Sequence, residues 1–166
     1  MRWVTYRAAD GAERPGLLRD GRVHGLDGTL LALIESGLAE AAERAVAAPV
    51  EVVDLADVRL VAPIPRPPSV RDFLSFEEHL RNAVQALGRT DPPPVWFEQP
   101  VFYFSNPAAI LGPDEEVPIS PGCEAFDYEV EVAAVVGRAG SDLSDRKSGS
   151  AGMPRPLSVS RMPSSA

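Results

Sequence analysis

Asp127-Tyr128-Glu129-Val130-Glu131 sets carboxylates at every second position. On a β-strand, residues two apart share a face, so Asp127, Glu129 and Glu131 would project together, with Tyr128, Val130 and Val132 opposite. Three like charges at that spacing repel. They are tolerated on a solvated face, or around a cation that takes hard oxygen donors, such as Mg²⁺, Mn²⁺ or Ca²⁺ rather than Zn²⁺. Ala133-Ala134-Val135-Val136 follows directly. An apolar run there argues for burial beyond Glu131, where a carboxylate needs a partner.

A second set of chemical residues lies in Asp72-Phe73-Leu74-Ser75-Phe76-Glu77-Glu78-His79. Seven residues are close to two helical turns, so a continuous helix would put Asp72 and His79 on one side, ~10 Å apart along the axis. Asp72 reads equally as the helix N-cap. His79, beside Glu77 and Glu78, is either a surface histidine or a general base whose ordinary pKa lies near working pH.

The elements that must carry these residues follow from periodicity. Arg2 to Ala8 alternates as a strand. Gly16-Leu17-Leu18 and Val23 to Leu26 flank Asp20-Gly21, a favoured two-residue hairpin turn. Asp27 stands where an N-cap would precede a helix running to about Ala47, with Leu30, Leu33, Ile34, Leu38, Ala41 and Ala45 as its apolar stripe. Gly37 weakens that helix and Pro49 stops it. Leu60 to Pro68 is proline-rich and reads as a stiff connector, or as a segment for a proline-binding partner. Helix is expected from Asp72 to Leu87, a loop at Asp91 to Pro94, a short strand at Val101 to Phe104, and a weak edge strand at Val117 to Ile119. Phe126 to Gly137 has the strongest strand pattern in the chain.

Composition bounds the function. The 166 residues are 45% hydrophobic with a net charge of −8, which argues against nucleic acid or an anionic membrane as partner. One cysteine, Cys123, cannot form an internal disulfide, and no stretch approaches the ~20 apolar residues of a spanning helix. A soluble protein of a reducing cytoplasm is expected. From Ser144 onward the chain is Ser-, Pro-, Gly- and Arg-rich without glutamate or aromatic residues, and carries +3 against −11 before it. Such a composition predicts disorder over 144–166.

The succession D-F-x-x-F-E-x-H, V-F-Y-F and D-Y-E-x-E-x-A-x-V-V-G resembles the fumarylacetoacetate hydrolase family across residues 58–143. The resemblance implies an α+β fold: a small N-terminal α/β lobe over 1–57, then the opening of a β-rich fumarylacetoacetase-like roll. It implies a divalent metal, Mg²⁺ or Mn²⁺ with Ca²⁺ a further candidate, held by Glu129, Glu131 and Asp72. His79 would be the base that activates water, and Tyr103 would contact the substrate. The implied function is hydrolysis of a carbon–carbon bond in a dioxo acid, a catabolic reaction, by an enzyme that forms homodimers. The family's following segment, G-Y-x-x-x-N-D-x-S-A-R, is missing here. Residues after about 143 are therefore expected to be a frameshifted or prematurely ended tail, and this chain to be inactive. A native gene with no family-like continuation in another reading frame would refute the tail reading. The alternative is a non-catalytic partner that docks on an intact homologue.

Overall fold

A computed structural model describes residues 1–126, 128 and 130–140. Its elements are β1 (Arg2–Arg7), β2 (Glu13–Arg19), β3 (Arg22–Gly25), α1 (Leu30–Ser36), α2 (Leu38–Ala47), β4 (Glu51–Asp54), β5 (Arg59–Val61), β6 (Val70–Phe73), α3 (Glu77–Ala86), α4 (Val95–Glu98) and β7 (Phe102–Ser105). Helices and antiparallel strands are mixed, so the fold is α+β. Two compact units divide it: Met1–Pro68 with Asn106–Phe126, and Ser69–Ser105 with the described residues after Phe126.

The first unit is a sheet in the order β4-β3-β2-β1-β5. Asp20 and Gly21 both have positive φ, 50° and 76°, the backbone twist that a two-residue hairpin between right-twisted strands requires. Trp3, Leu17 and His24 follow one another across three strands and share a face. Trp3 and Leu17 pack there with Leu26, Leu33, Ala41, Ala42 and Ala45, which places α1 and α2 on that face. Tyr6, Ala8 and Val23 form a second cluster with Val4, Leu18 and Val53.

Two helical expectations are corrected here. Thr29, not Asp27, caps α1, its Oγ accepting from the Ala32 N–H at 3.2 Å. Leu30 to Ala47 is not one helix, because Gly37 at φ 115° takes a backbone conformation that side-chain-bearing residues avoid and so separates α1 from α2. The proline-rich stretch starts as a strand: Arg59–Val61 pairs with β1, and the Pro63 carbonyl accepts from Thr5 Oγ1 at 2.6 Å. Val117 to Ile119 is not a strand, nor are the described residues from Tyr128 to Gly137. A strand exists through its ladder of backbone hydrogen bonds, and no described segment supplies one there.

Tyr6 anchors the first unit. Its side chain is fully buried, and its hydroxyl donates to Glu51 Oε1 at 2.6 Å. The hydroxyl occupies the space that a Cβ at position 25 would fill, which is why glycine stands there. Burial, reinforced by the hydrogen bond and the charge of Glu51, pushes the phenol above its ordinary value. Arg14 lies 3.7 Å from Glu51 and grips both oxygens of Asp10, at 2.9 and 2.6 Å. That grip, with the Ala12 N–H, holds the Asp10 carboxyl down at about 2.

Gly25→Ala should destabilise the protein by about 1–3 kcal/mol in denaturant titration, because the new methyl must displace the Tyr6 ring. Tyr6 is raised relative to the unfolded chain, so its contribution is intact below pH about 10 and lost as the pH rises further. Thermal unfolding followed from pH 8 to 11.5 should fall more steeply for the native protein than for Tyr6→Phe.

Candidate functional site

The second unit is a two-stranded ribbon with α3 and α4 in the connection between its strands. Val70 stands opposite Ser105, Arg71 opposite Phe104, Asp72 opposite Tyr103, and Phe73 opposite Phe102. Directly opposed residues share a face, with Cβ atoms about 4.5–5.5 Å apart. One face therefore carries Asp72 and Tyr103. The other carries Arg71, Phe73, Phe102 and Phe104. On it the Phe73 and Phe102 rings lie 5.3 Å apart, and the Arg71 guanidinium sits 4.9 Å from the Phe104 centroid.

This overturns the expected helix from Asp72 to Leu87. Asp72 lies inside β6 and is not an N-cap, and α3 begins only at Glu77 after an extended Phe76. The helical spacing between Asp72 and His79 does not apply. Val70–Phe73 takes the strand state because Phe102–Ser105 offers it a ladder, whereas Glu77 onward has strong helix formers and two carboxylates in the favourable first turn.

The turn between β6 and α3 is pinned from two sides. The Leu74 N–H donates to the Val101 carbonyl at 3.0 Å, and the Leu74 carbonyl accepts from buried Trp96 Nε1 at 2.8 Å. Trp96 also packs with Leu80 and Val84 of α3, and with Leu74. It thus joins the end of β6 to the helix that carries His79. Neither Trp96 nor Arg71 stood out in the sequence. The available signals were Pro94 before a short apolar turn, which suits a helix start, and the strand-like composition of Val70 to Phe73.

Asp72, His79, Tyr103 and Glu131 are all exposed. Asp72 and Tyr103 are brought together by register. Glu131 is outside regular structure, and Asp127 and Glu129 lie outside the described residues, as does the stretch 141–166. Carboxylate oxygens have the right chemistry for Mg²⁺ or Mn²⁺. Among the described residues, no three histidine, cysteine or acidic side chains converge.

The family model described as fumarylacetoacetate (FAA) hydrolase C-terminal matches residues 69–151, half of the chain, and that span contains the ribbon, α3 and the Asp-Tyr-Glu-Val-Glu segment. The chain belongs to the fumarylacetoacetate hydrolase family. Its similarity to the protein named oxaloacetate tautomerase FAHD2A, mitochondrial, of Homo sapiens is 29% identity over 118 residues, 69% of this chain and 35% of that protein. The fumarylacetoacetate hydrolase domain-containing protein 2 of Pongo abelii matches with the same identity and coverage. Oxaloacetate tautomerase FAHD2B, mitochondrial, of Bos taurus is 28% identical over 115 residues, 68% of this chain and 34% of its own length. The chain thus spans about a third of the length of these family members. Among its described residues no helix is long and apolar enough to cross a membrane.

Trp96→Phe should remove the indole donor while keeping most of the packing, a loss of about 1 kcal/mol. Amide exchange at Leu74 to His79 should accelerate about fivefold if opening of this turn follows that cost, with little change in β1 to β5. Trp96→Ala should cost about 3–5 kcal/mol in the second unit.

Proposed function

We propose that this chain supplies an oxo-acid-handling segment of a fumarylacetoacetate-hydrolase-family enzyme, with an enolate as the species to be stabilised. The observation that carries the reading is the family match over 69–151, which includes Asp72, His79, Tyr103, Glu129 and Glu131. Cleavage of a dioxo acid and tautomerisation of an oxo acid share one demand. Each places negative charge on an oxygen next to a carbonyl carbon and moves a proton to or from the neighbouring carbon. The names of the relatives favour tautomerisation, whereas the family's own name favours hydrolysis.

The residues divide the work by chemistry. His79 exchanges the proton as the general acid or base. Tyr103 offers a hydroxyl to a carboxylate or carbonyl oxygen, and faces the same side as Asp72. Asp72, Glu129 and Glu131 are read as donors to Mg²⁺ or Mn²⁺, which as a Lewis acid would polarise a chelated carbonyl. That donor assignment rests on the family resemblance, and it needs more donors than the described geometry gathers.

The exposure of the four described residues sets the expected activity. A proton-transfer group or oxyanion donor in bulk water loses most of the advantage it has in a dry, preorganised site. Assayed alone with Mg²⁺ or Mn²⁺, the chain should therefore turn over oxaloacetate tautomers, or cleave acylpyruvates, at least ~100-fold more slowly than an intact relative. His79→Gln should abolish whatever acceleration remains. Turnover matching an intact relative would refute the exposure argument, and acceleration indifferent to His79→Gln would sink the assignment of His79.

A further inference from the structure

The face of the ribbon opposite Asp72 and Tyr103 carries a cation that is held without a counter-charge. Arg7, Arg14, Arg19, Arg22, Arg59 and Arg81 are each paired with a carboxylate. Arg71 is held in another way. Its guanidinium lies over two rings, 4.9 Å from the Phe104 centroid and 5.7 Å from that of Phe102. Its Nη1 donates to Ser69 Oγ at 3.1 Å.

The rings hold the guanidinium by its flat face and take none of its in-plane N–H groups. Ser69 uses Nη1, so the edge formed by Nε and Nη2 has no described partner. That edge is a fork that meets a carboxylate with two parallel hydrogen bonds. The surface beside it is aromatic. Phe102 and Phe104 meet edge to face at 5.0 Å, Phe73 lies 5.3 Å from Phe102, and Phe102 and Phe104 are 37% and 64% exposed.

We propose that this face binds a small aryl carboxylate, its carboxylate on the Nε–Nη2 edge of Arg71 and its ring packed on Phe102 and Phe104. Charge selects the occupant. A single cation on an apolar surface, in a chain of net charge −8, suits a monoanion and not a polyanion. Apolar contact selects the rest of the ligand. Arg71 is exposed, so an ion pair there competes with water for little gain, and burial of ring surface must supply the remainder. The site lies on the face away from Asp72 and Tyr103. It rests on neither the metal-donor reading nor the proposed function.

Titration of sodium benzoate into the isotope-labelled full chain, at constant ionic strength, tests this by NMR. Saturating shifts are expected at the Arg71 Nε–H and at the Phe102 and Phe104 rings. Their dissociation constant should be on the order of 1 mM, a range open to a ligand of this size. Acetate has the charge without the ring, and benzamide the ring without the charge. Each should bind at least ~fivefold more weakly. Arg71→Gln should abolish saturation, and Arg71→Lys, which keeps the charge and loses the fork, should weaken binding about fivefold. Cross-strand contacts between Asp72 and Tyr103 should persist in both variants, which separates loss of the fork from loss of the ribbon. Saturation unchanged in Arg71→Gln overturns the proposal, as do shifts that stay linear to ~50 mM benzoate. Acetate binding as tightly as benzoate overturns it too, because the rings then contribute nothing.

Discussion

The ladder between Val70–Phe73 and Phe102–Ser105 fixes where the candidate residues Asp72 and Tyr103 sit. It selects strand for a segment that lies a short turn ahead of the helix formers beginning at Glu77, and by doing so it sets Asp72 against Tyr103. A slip of one residue would send both side chains to the aromatic face. The same ladder forces the chain to turn at Leu74, where two hydrogen bonds hold it before α3 starts. The position of His79 along the chain is thereby separated from that of Asp72 by a turn, and not by a helical repeat.

The two units place their hydrogen-bonding groups differently. In the first, five strands pair in an unbroken sequence of neighbours, and α1 and α2 lie against the face that carries Trp3 and Leu17. Its central polar group, the Tyr6 hydroxyl, has both a partner and a glycine-sized space. In the second, the ribbon has two strands and an exposed aromatic face, and its small core is Leu80, Val84 and Trp96. Buried, satisfied polar groups rigidify a frame, whereas exposed carboxylates, imidazole and phenol are poorly insulated from water. The match to the fumarylacetoacetate hydrolase family model, residues 69–151, includes the ribbon and α3 of this second unit, and the chain carries about a third of the length of its relatives.

What was legible in the sequence was local. Asp20-Gly21 specified its hairpin because a two-residue turn needs positive φ twice, and few residue pairs provide it. The α1–α2 region was readable from the 3.6-residue period, but the break at Gly37 was not, since a glycine inside a periodic stretch is often tolerated. β6 was lost because Asp72 and His79 happen to be spaced as in a helix, and only the distant partner β7 decides otherwise. Trp96 escaped notice for a related reason: its role depends on a carbonyl 22 residues away in the chain. Tyr128 to Gly137 shows the reverse failure, a strong strand pattern without a described partner strand. The Asp-Tyr-Glu-Val-Glu motif was legible as a family resemblance, and Asp127 and Glu129 lie outside the described residues.

The register of Asp72 against Tyr103 is the claim on which the candidate site rests. Nuclear Overhauser contacts in isotope-labelled protein test it directly. The account predicts cross-strand contacts linking Asp72 with Tyr103 and Val70 with Ser105, with helical i to i+3 contacts starting only at Glu77. An unbroken series of helical contacts from Asp72 into His79, with no contact to Tyr103, would contradict it.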